Sequence, residues 1–394
     1  MNKNKLKINR NVWVCLISMI FLIGAIISIF VEHRKNQDIV IGFTAQLTGI
    51  QAELGVQERN GVQLAVEKIN ESGGIAGHKI SLIIQDDLGT PKDAEIGDME
   101  LIKKGVVAII GHATTSQTLA GLRVTNPKNV IMIGATVSAP ELSGVDDYFI
   151  RVYPSFKNRA QSFTKFIHEN KNLNKIAIIY DVDNLVYTTT YSTIFSDEFQ
   201  ALGGPITDKV NFSSAIQPDF SPLLAKLQKS KPEGLIIVAS DIDTALIAQR
   251  ARIMDNKISI FTSDWAQTET LISNGGQAVE GMIMEQAYDL TRQSSTFIDF
   301  KAGYKARFGN EASFGAAYSY EAALVLAEAL KKTHGDKEGL KQALLQTNDF
   351  NGLMDTFSLD KFGDVERPWY VSTIKDGKFA MVDRLTSTSS EVSK

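Results

Sequence analysis

The stretch VVAIIGHATTSQTLAGLRVTNPKNVIMIGATVSAPEL, residues 106–142, decides the fold. Val106 to Ile110 and Val130 to Ile133 are short apolar runs of strand length, and the segment after Ser116 reads as a helix between them. A strand, a helix and a second strand in so short a span make a parallel pair joined by a helical crossover. Hydroxylated residues follow both strands: Thr114, Thr115 and Ser116 after Gly111, and Thr136 and Ser138 around Val137, just before Ala139-Pro140. Both groups reach the carboxyl end of the sheet, where folds of this kind form ligand crevices. The first group also opens a helix, whose unpaired N–H groups and hydroxyls suit a carboxylate. The plainer alternatives are a helix cap at 114–116 and ordinary turn residues at 136–138.

The same alternation runs in both directions. Upstream lie a strand from Ile39 to Phe43, a helical pattern through Val62, Leu64, Ala65, Val66 and Ile69, a strand from Ile80 to Ile84, and a helix around Ala94 to Lys104. Gly73, Gly74 and Gly77 read as a helix stop and turn that need positive φ. A second series starts after Pro154: helices around Arg159–Glu169, Phe195–Leu202 and Thr244–Ile253 alternate with strands at Ile176–Tyr180, Leu235–Ala239 and Ile258–Thr262. This predicts two α/β units. The helix Tyr320–Lys331 and the strand near Tyr370–Ile374 are too short for a third domain, so they return to complete the first two. The expected division is one lobe from 39–154 plus about 288–354, a second from 155–287 plus about 355–384, and a flexible tail at 385–394. Several crossings between two lobes make a hinge that closes around a ligand.

The chain is 394 residues long, 44% apolar and 22% charged, which suits about two compact domains with a real core. Its first residues stand apart. Lys3, Lys5, Lys7 and Arg10 precede an uncharged run from Val12 to Val31, long enough as a helix to cross a bilayer. The expectation is a basic cytoplasmic tail at 1–11, a single-pass signal anchor at 12–31, and everything after Glu32 outside the cell membrane. Ile29, Phe30 and Val31 run straight into Glu32 without the small residues of a cleavage site, which favours an anchor over a processed peptide. The lone Cys15 lies within the run, so no intrachain disulfide is possible. Without the charged residues of this segment, 35 basic and 44 acidic side chains remain, a balance of −9 that gives no encouragement to nucleic-acid binding.

Reaction chemistry finds no support. Five scattered His and one Cys offer no metal-ligand spacing, and the glycines at 73–77 follow a helix and lack the Lys and Ser/Thr of a phosphate loop. No Gly-x-Ser-x-Gly elbow occurs. The chain reads as a binding protein with no catalytic residue, no metal and no cofactor.

Four ordered segments carry a specific resemblance: INESGGIAGHKI (69–80), DDLGTPKDA (86–94), IGHATTSQT (110–118) and GATVSAPEL (134–142), with GGQAVEGM (275–282) and FSLDKFGD (357–364) further on. From about Ile39 to Asp383 the chain resembles the type I periplasmic binding proteins of the branched-chain amino-acid group, which serve ABC transporters. The resemblance implies a two-lobed α/β fold of parallel sheets flanked by helices, an amino acid bound between the lobes, and an ABC permease as partner. It assigns Thr115 and Ser138 to the ligand's carboxylate and ammonium, with Ser116 beside them and the Thr136 carbonyl as a further ammonium acceptor. From the second lobe it brings Tyr187 as a covering aromatic and Asp264 as the ammonium's acidic partner, although Asp264 also suits a helix N-cap. Trp265 is a pocket wall or core, and Ala113 and Phe314 line the side-chain pocket. Leu54 stands where close relatives carry an aromatic ring, and Gly89 and Thr114 stand where the prototype has a disulfide. Those departures leave an amide or an aromatic acid open as ligand, and a membrane-tethered sensory receptor open as the role.

Overall fold

A computed structural model describes residue 19 and residues 38–385 except 50, 172, 217, 218, 256 and 290. The first sheet has the order β2-β1-β3-β4-β5 and is parallel throughout. Its strands are β1 (Ile39–Ala45), β2 (Ile80–Asp86), β3 (Ala108–Gly111), β4 (Ile131–Gly134) and β5 (Phe149–Arg151). Helices α1 (Glu53–Glu71), α2 (Pro91–Lys103) and α3 (Thr115–Thr125) make the crossovers. β1 pairs with β2 on one side and β3 on the other, so the chain reverses its direction of winding there. The loops after β1 and β3 then diverge and leave a crevice at their carboxyl ends.

The second sheet has the order β14-β13-β10-β9-β8-β6-β7. β6 (Ile176–Asp181), β7 (Ile206–Phe212), β8 (Gly234–Val238), β9 (Ser259–Thr262) and β10 (Ile283–Gln286) are parallel. β13 (Trp369–Lys375) and β14 (Lys378–Leu385) add an antiparallel edge. Helices α4 (Lys157–Lys171), α5 (Leu185–Ala201), α6 (Phe220–Gln228), α7 (Asp241–Met254) and α8 (Glu269–Gly275) belong to this half. The chain then returns to the first half through α9 (Ser295–Phe308), α10 (Phe314–Lys332) and α11 (Leu340–Leu345), and passes the small hairpin β11 (Phe350–Asn351) and β12 (Thr356–Phe357) before reaching β13.

Helix α10 is buried on almost every side because it lies between α1 and the first sheet. Gly61 permits the close approach: a Cβ there would sit 2.2 Å from the Ala316 carbonyl oxygen and 2.3 Å from Ser319 Oγ. Backbone cannot yield to a methyl group as a side chain can, so Gly61→Ala is expected to destabilise by about 2 kcal/mol despite alanine's better helix propensity. Denaturant unfolding measures it, and an unchanged midpoint would show that α1 and α10 can move apart at little cost.

Six of the described strands escape the reading of apolar runs, β5, β7, β10, β11, β12 and β14, and three of them show the physical reason. β7, ITDKVNF, is a half-exposed edge strand rich in polar residues, and β10, IMEQ, buries Glu285 and Gln286 completely. β5 is three residues long. Leu385, expected in the tail, closes β14 opposite Trp369, while residues 386–394 lie outside the described residues. The predicted span 12–31 also lies outside them except for Met19, and among the described residues no helix is long and apolar enough to cross a membrane.

Candidate functional site

The two sheets present their carboxyl ends to each other around a cavity of about 20 Å³. Thr115, Thr136, Ser138, Tyr187 and Asp264 line it, together with Leu54, Ala113, Trp265 and Phe314. Thr114, Val137 and Asn184 complete the wall. Asn184 stands three residues before Tyr187 in the same DNLVY segment, which is the sequence signal for it. Ser116 is the one named residue outside the lining. Its backbone N–H and hydroxyl approach Asn184 Oδ1 at 3.4 and 3.5 Å, so it faces the other half of the molecule.

The first wall is built by strand ends. Thr114 occupies the N-cap position of α3 in an extended conformation, yet no side chain caps the helix. The Thr114 hydroxyl bonds Gln117 Oε1 instead, and Gln117 Nε2 donates to the Gly89 carbonyl at 2.5 Å. Gln117 thus ties together the two positions where the resemblance places a disulfide. Thr114 therefore leaves the first turn of α3 uncapped; the Ser116 N–H takes Asn184 Oδ1 from across the cleft at 3.4 Å, and the Thr115 N–H at the cavity wall is left for an anion. Behind it, the wholly buried His112 bonds Asp87 at 2.6 Å and Asp98 at 3.1 Å. Burial works to lower its pKa, but Asp98 and Asp87 prevail and raise it to about 10, so the ring is an imidazolium at neutral pH.

The opposite wall carries an ion cluster. Asp264 accepts hydrogen bonds at 2.7 Å from Tyr187 Oη on one oxygen and Tyr153 Oη on the other. Arg159, fully buried at the start of α4, places one nitrogen 2.6 Å from Asp264 and another 2.6 Å from Glu285. It also donates to Tyr153 Oη at 3.1 Å. Burial holds both phenols well above their ordinary pKa, so they remain donors, and burial also raises the Glu285 carboxyl. One guanidinium faces two carboxylates here. Charge balance requires a second positive charge, either a proton on Glu285 or a cation arriving at Asp264. Asp264 does not cap the following helix: the Thr268 side chain does so for α8. Trp265 packs edge-on against Tyr187 with ring centroids 5.8 Å apart, and so belongs to wall and core together.

Arg159, Glu285 and Tyr153 are functional neighbours that reading along the chain does not find, because they converge on Asp264 from separate elements. Gln51 is another. From the loop after β1 it reaches across the cleft, with its Nε2 2.6 Å from Ser214 Oγ, 3.0 Å from Asp243 and 3.2 Å from Asp181. A contact between Thr190 and Glu141 spans the cleft as well. The halves are therefore latched over the cavity. A larger hollow of about 930 Å³ lies near Lys171, Arg252 and Ser259, at the amino ends of β9 and β10, away from the crevice that parallel strands form.

The sequence model of the periplasmic binding protein family matches residues 38–378. The Leu/Ile/Val-binding protein BraC3 of Rhizobium johnstonii is 28% identical over 264 residues, covering 65% of this chain and 70% of that one. Among solved structures, the branched-chain amino acid transporter substrate binding protein LivJ from Streptococcus pneumoniae, in complex with isoleucine, superposes with a TM-score of 0.81 at 23% identity. That match covers 88% of this chain and 100% of the other. A solute binding protein from R. palustris in complex with benzoate gives 0.80 at 17% identity over 88% and 96% of the two chains. The two structural likenesses show a shared two-lobed fold.

Proposed function

The chain belongs to the periplasmic binding protein family, and from that premise we propose that it captures a small aliphatic α-amino acid and presents it to an ABC permease. It is a solute-binding protein and not an enzyme. The observation that carries the amino-acid reading is the polarity of the cavity: the open N-terminus of α3 with Thr115 and Ser138 on one wall, and Asp264 on the other. A zwitterion spans such a site with its carboxylate on the hydroxyls and helix N–H groups and its ammonium toward Asp264 and the Thr136 carbonyl. Leu54, Ala113, Trp265 and Phe314 offer the side chain an apolar surface. Ligand held by both walls favours the closed state, which is what a permease recognises. In this reading the run 12–31 tethers the lobes to the outer face of the cell membrane.

Thermal unfolding of the full chain in detergent, with leucine, isoleucine, valine, their amides and benzoate added separately, tests the reading. An aliphatic amino acid at 100 times its Kd is expected to stabilise by about 2.7 kcal/mol and to raise the melting temperature. The relatives' names point to both Leu/Ile/Val and benzoate as solutes of this fold. A shift with benzoate and none with amino acids would overturn the ammonium role of Asp264 and leave the binding fold in place.

A further inference from the structure

We propose that Glu58 acts as a neutral carboxylic acid that positions the ligand seat, and that its ionisation at alkaline pH impairs the seat. Glu58 lies on α1 one turn after the cavity-lining Leu54 and is wholly buried. Its Oε1 is 2.5 Å from Thr136 Oγ1, and the same hydroxyl is 3.0 Å from the Ala113 carbonyl oxygen. A hydroxyl has one hydrogen to donate, and this one faces two oxygens. Both contacts are hydrogen bonds when Glu58 supplies the second hydrogen: the acid donates to Thr136 Oγ1, and Thr136 donates to Ala113. The other carboxyl oxygen, Oε2, is buried without a hydrogen-bond partner, a position far costlier for an ionised carboxylate than for an acid.

The surroundings agree. Asp87, after β2, and His112, after β3, are the charged groups facing Glu58, with Asp98 of α2 holding the far side of the imidazolium. From α10, Ser319 takes only the Glu58 backbone carbonyl. Burial raises the Glu58 carboxyl to about 8; the Thr136 contact and His112 pull it down, and Asp87 pushes it up.

In the protonated state the relay fixes the Thr136 side chain and occupies the Ala113 carbonyl, leaving the Thr136 carbonyl and the Thr115 N–H for the ligand. After ionisation the Thr136 hydroxyl turns to Glu58, the relay breaks, and a negative charge stands behind the seat of the ligand carboxylate. Glu58 is thus a positioning residue that acts through Thr136.

Glu58→Gln keeps a donor toward Thr136 and cannot ionise. The folded protein holds the Glu58 proton above the ordinary carboxylate value of 4.5, up to about 8. The unfolded chain loses it near 4.5, so wild-type stability should fall relative to E58Q as pH rises from about 5 to about 8. Melting curves of both full chains across that range test this without any ligand; parallel curves would overturn the proposal. Leucine binding supplies the second arm, which rests on the amino-acid reading above. Between pH 7 and pH 9.5 wild-type affinity is expected to fall about tenfold more than that of E58Q, since the ligand's ammonium, His112 and Glu285 titrate in both proteins and Glu58 in the wild type alone. Equal losses in the two proteins would also overturn it. If leucine binds neither, the amino-acid reading fails while the melting comparison still decides on Glu58. Should E58Q not fold, Glu58→Met provides the same non-ionising comparison.

Discussion

Arg159→Met is expected to destabilise the protein by about 3–5 kcal/mol, the largest loss from any single change considered. The guanidinium is fully buried and lies 2.6 Å from both Asp264 and Glu285, so its removal leaves two carboxylates facing each other with no cation. Attraction lost and desolvation left uncompensated act in the same direction. Both carboxylates are buried in this state, so water does little to screen them. The position magnifies the effect: Tyr153 belongs to the first crossing between the halves, Arg159 starts α4, and Glu285 sits on β10 just before the second crossing. Equilibrium unfolding in urea gives the number. Adding Glu285→Gln to the methionine variant should recover part of the loss by removing one of the opposed charges. A methionine variant within about 1 kcal/mol of wild type would show that the cluster contributes little beyond its packing.

Asp264→Asn is the second large effect, and it falls on binding. The carboxylate is the acid on the cavity wall opposite the α3 N-terminus, and an amide there keeps the shape while removing the charge. Affinity for leucine is expected to drop about 100-fold, close to 2.7 kcal/mol, as for a buried charge-assisted contact losing one partner. Stability should suffer less than in the Arg159 variant, because Arg159 keeps Glu285 as a counter-ion. Calorimetric titration with leucine and with benzoate separates the possibilities. Equal losses for both ligands would place the effect on lobe closure, through the Tyr153 and Tyr187 bonds that Asp264 accepts, and would remove the ammonium role.

Legibility followed the range of the interactions. The polar ends of β3 and β4 are local features, and Thr115, Thr136 and Ser138 stand at the cavity where the two strand ends place them. Ser116 shows the limit of a reading by neighbourhood. One residue along a helix turns the side chain by about 100°, so Thr115 and Ser116 cannot share a wall, and Ser116 meets Asn184. Helix α10 was expected from Tyr320, but its first turn begins at Phe314 and brings that ring to the cavity.

From the amino-acid sequence alone came the α/β alternation, the two units, the resemblance and most of the cavity wall. Each rests on periodicity or on motifs within a few turns of chain. Tertiary structure decided which charges meet. Arg159, Asp264 and Glu285 come from three elements, and Gln51 finds acceptors more than a hundred residues away. Whether a carboxylate stands free, paired or protonated depends on what surrounds it after burial, since desolvation and nearby charge set its ionisation together. For Glu285 and Glu58 those surroundings exist only once the sheets and α10 have packed.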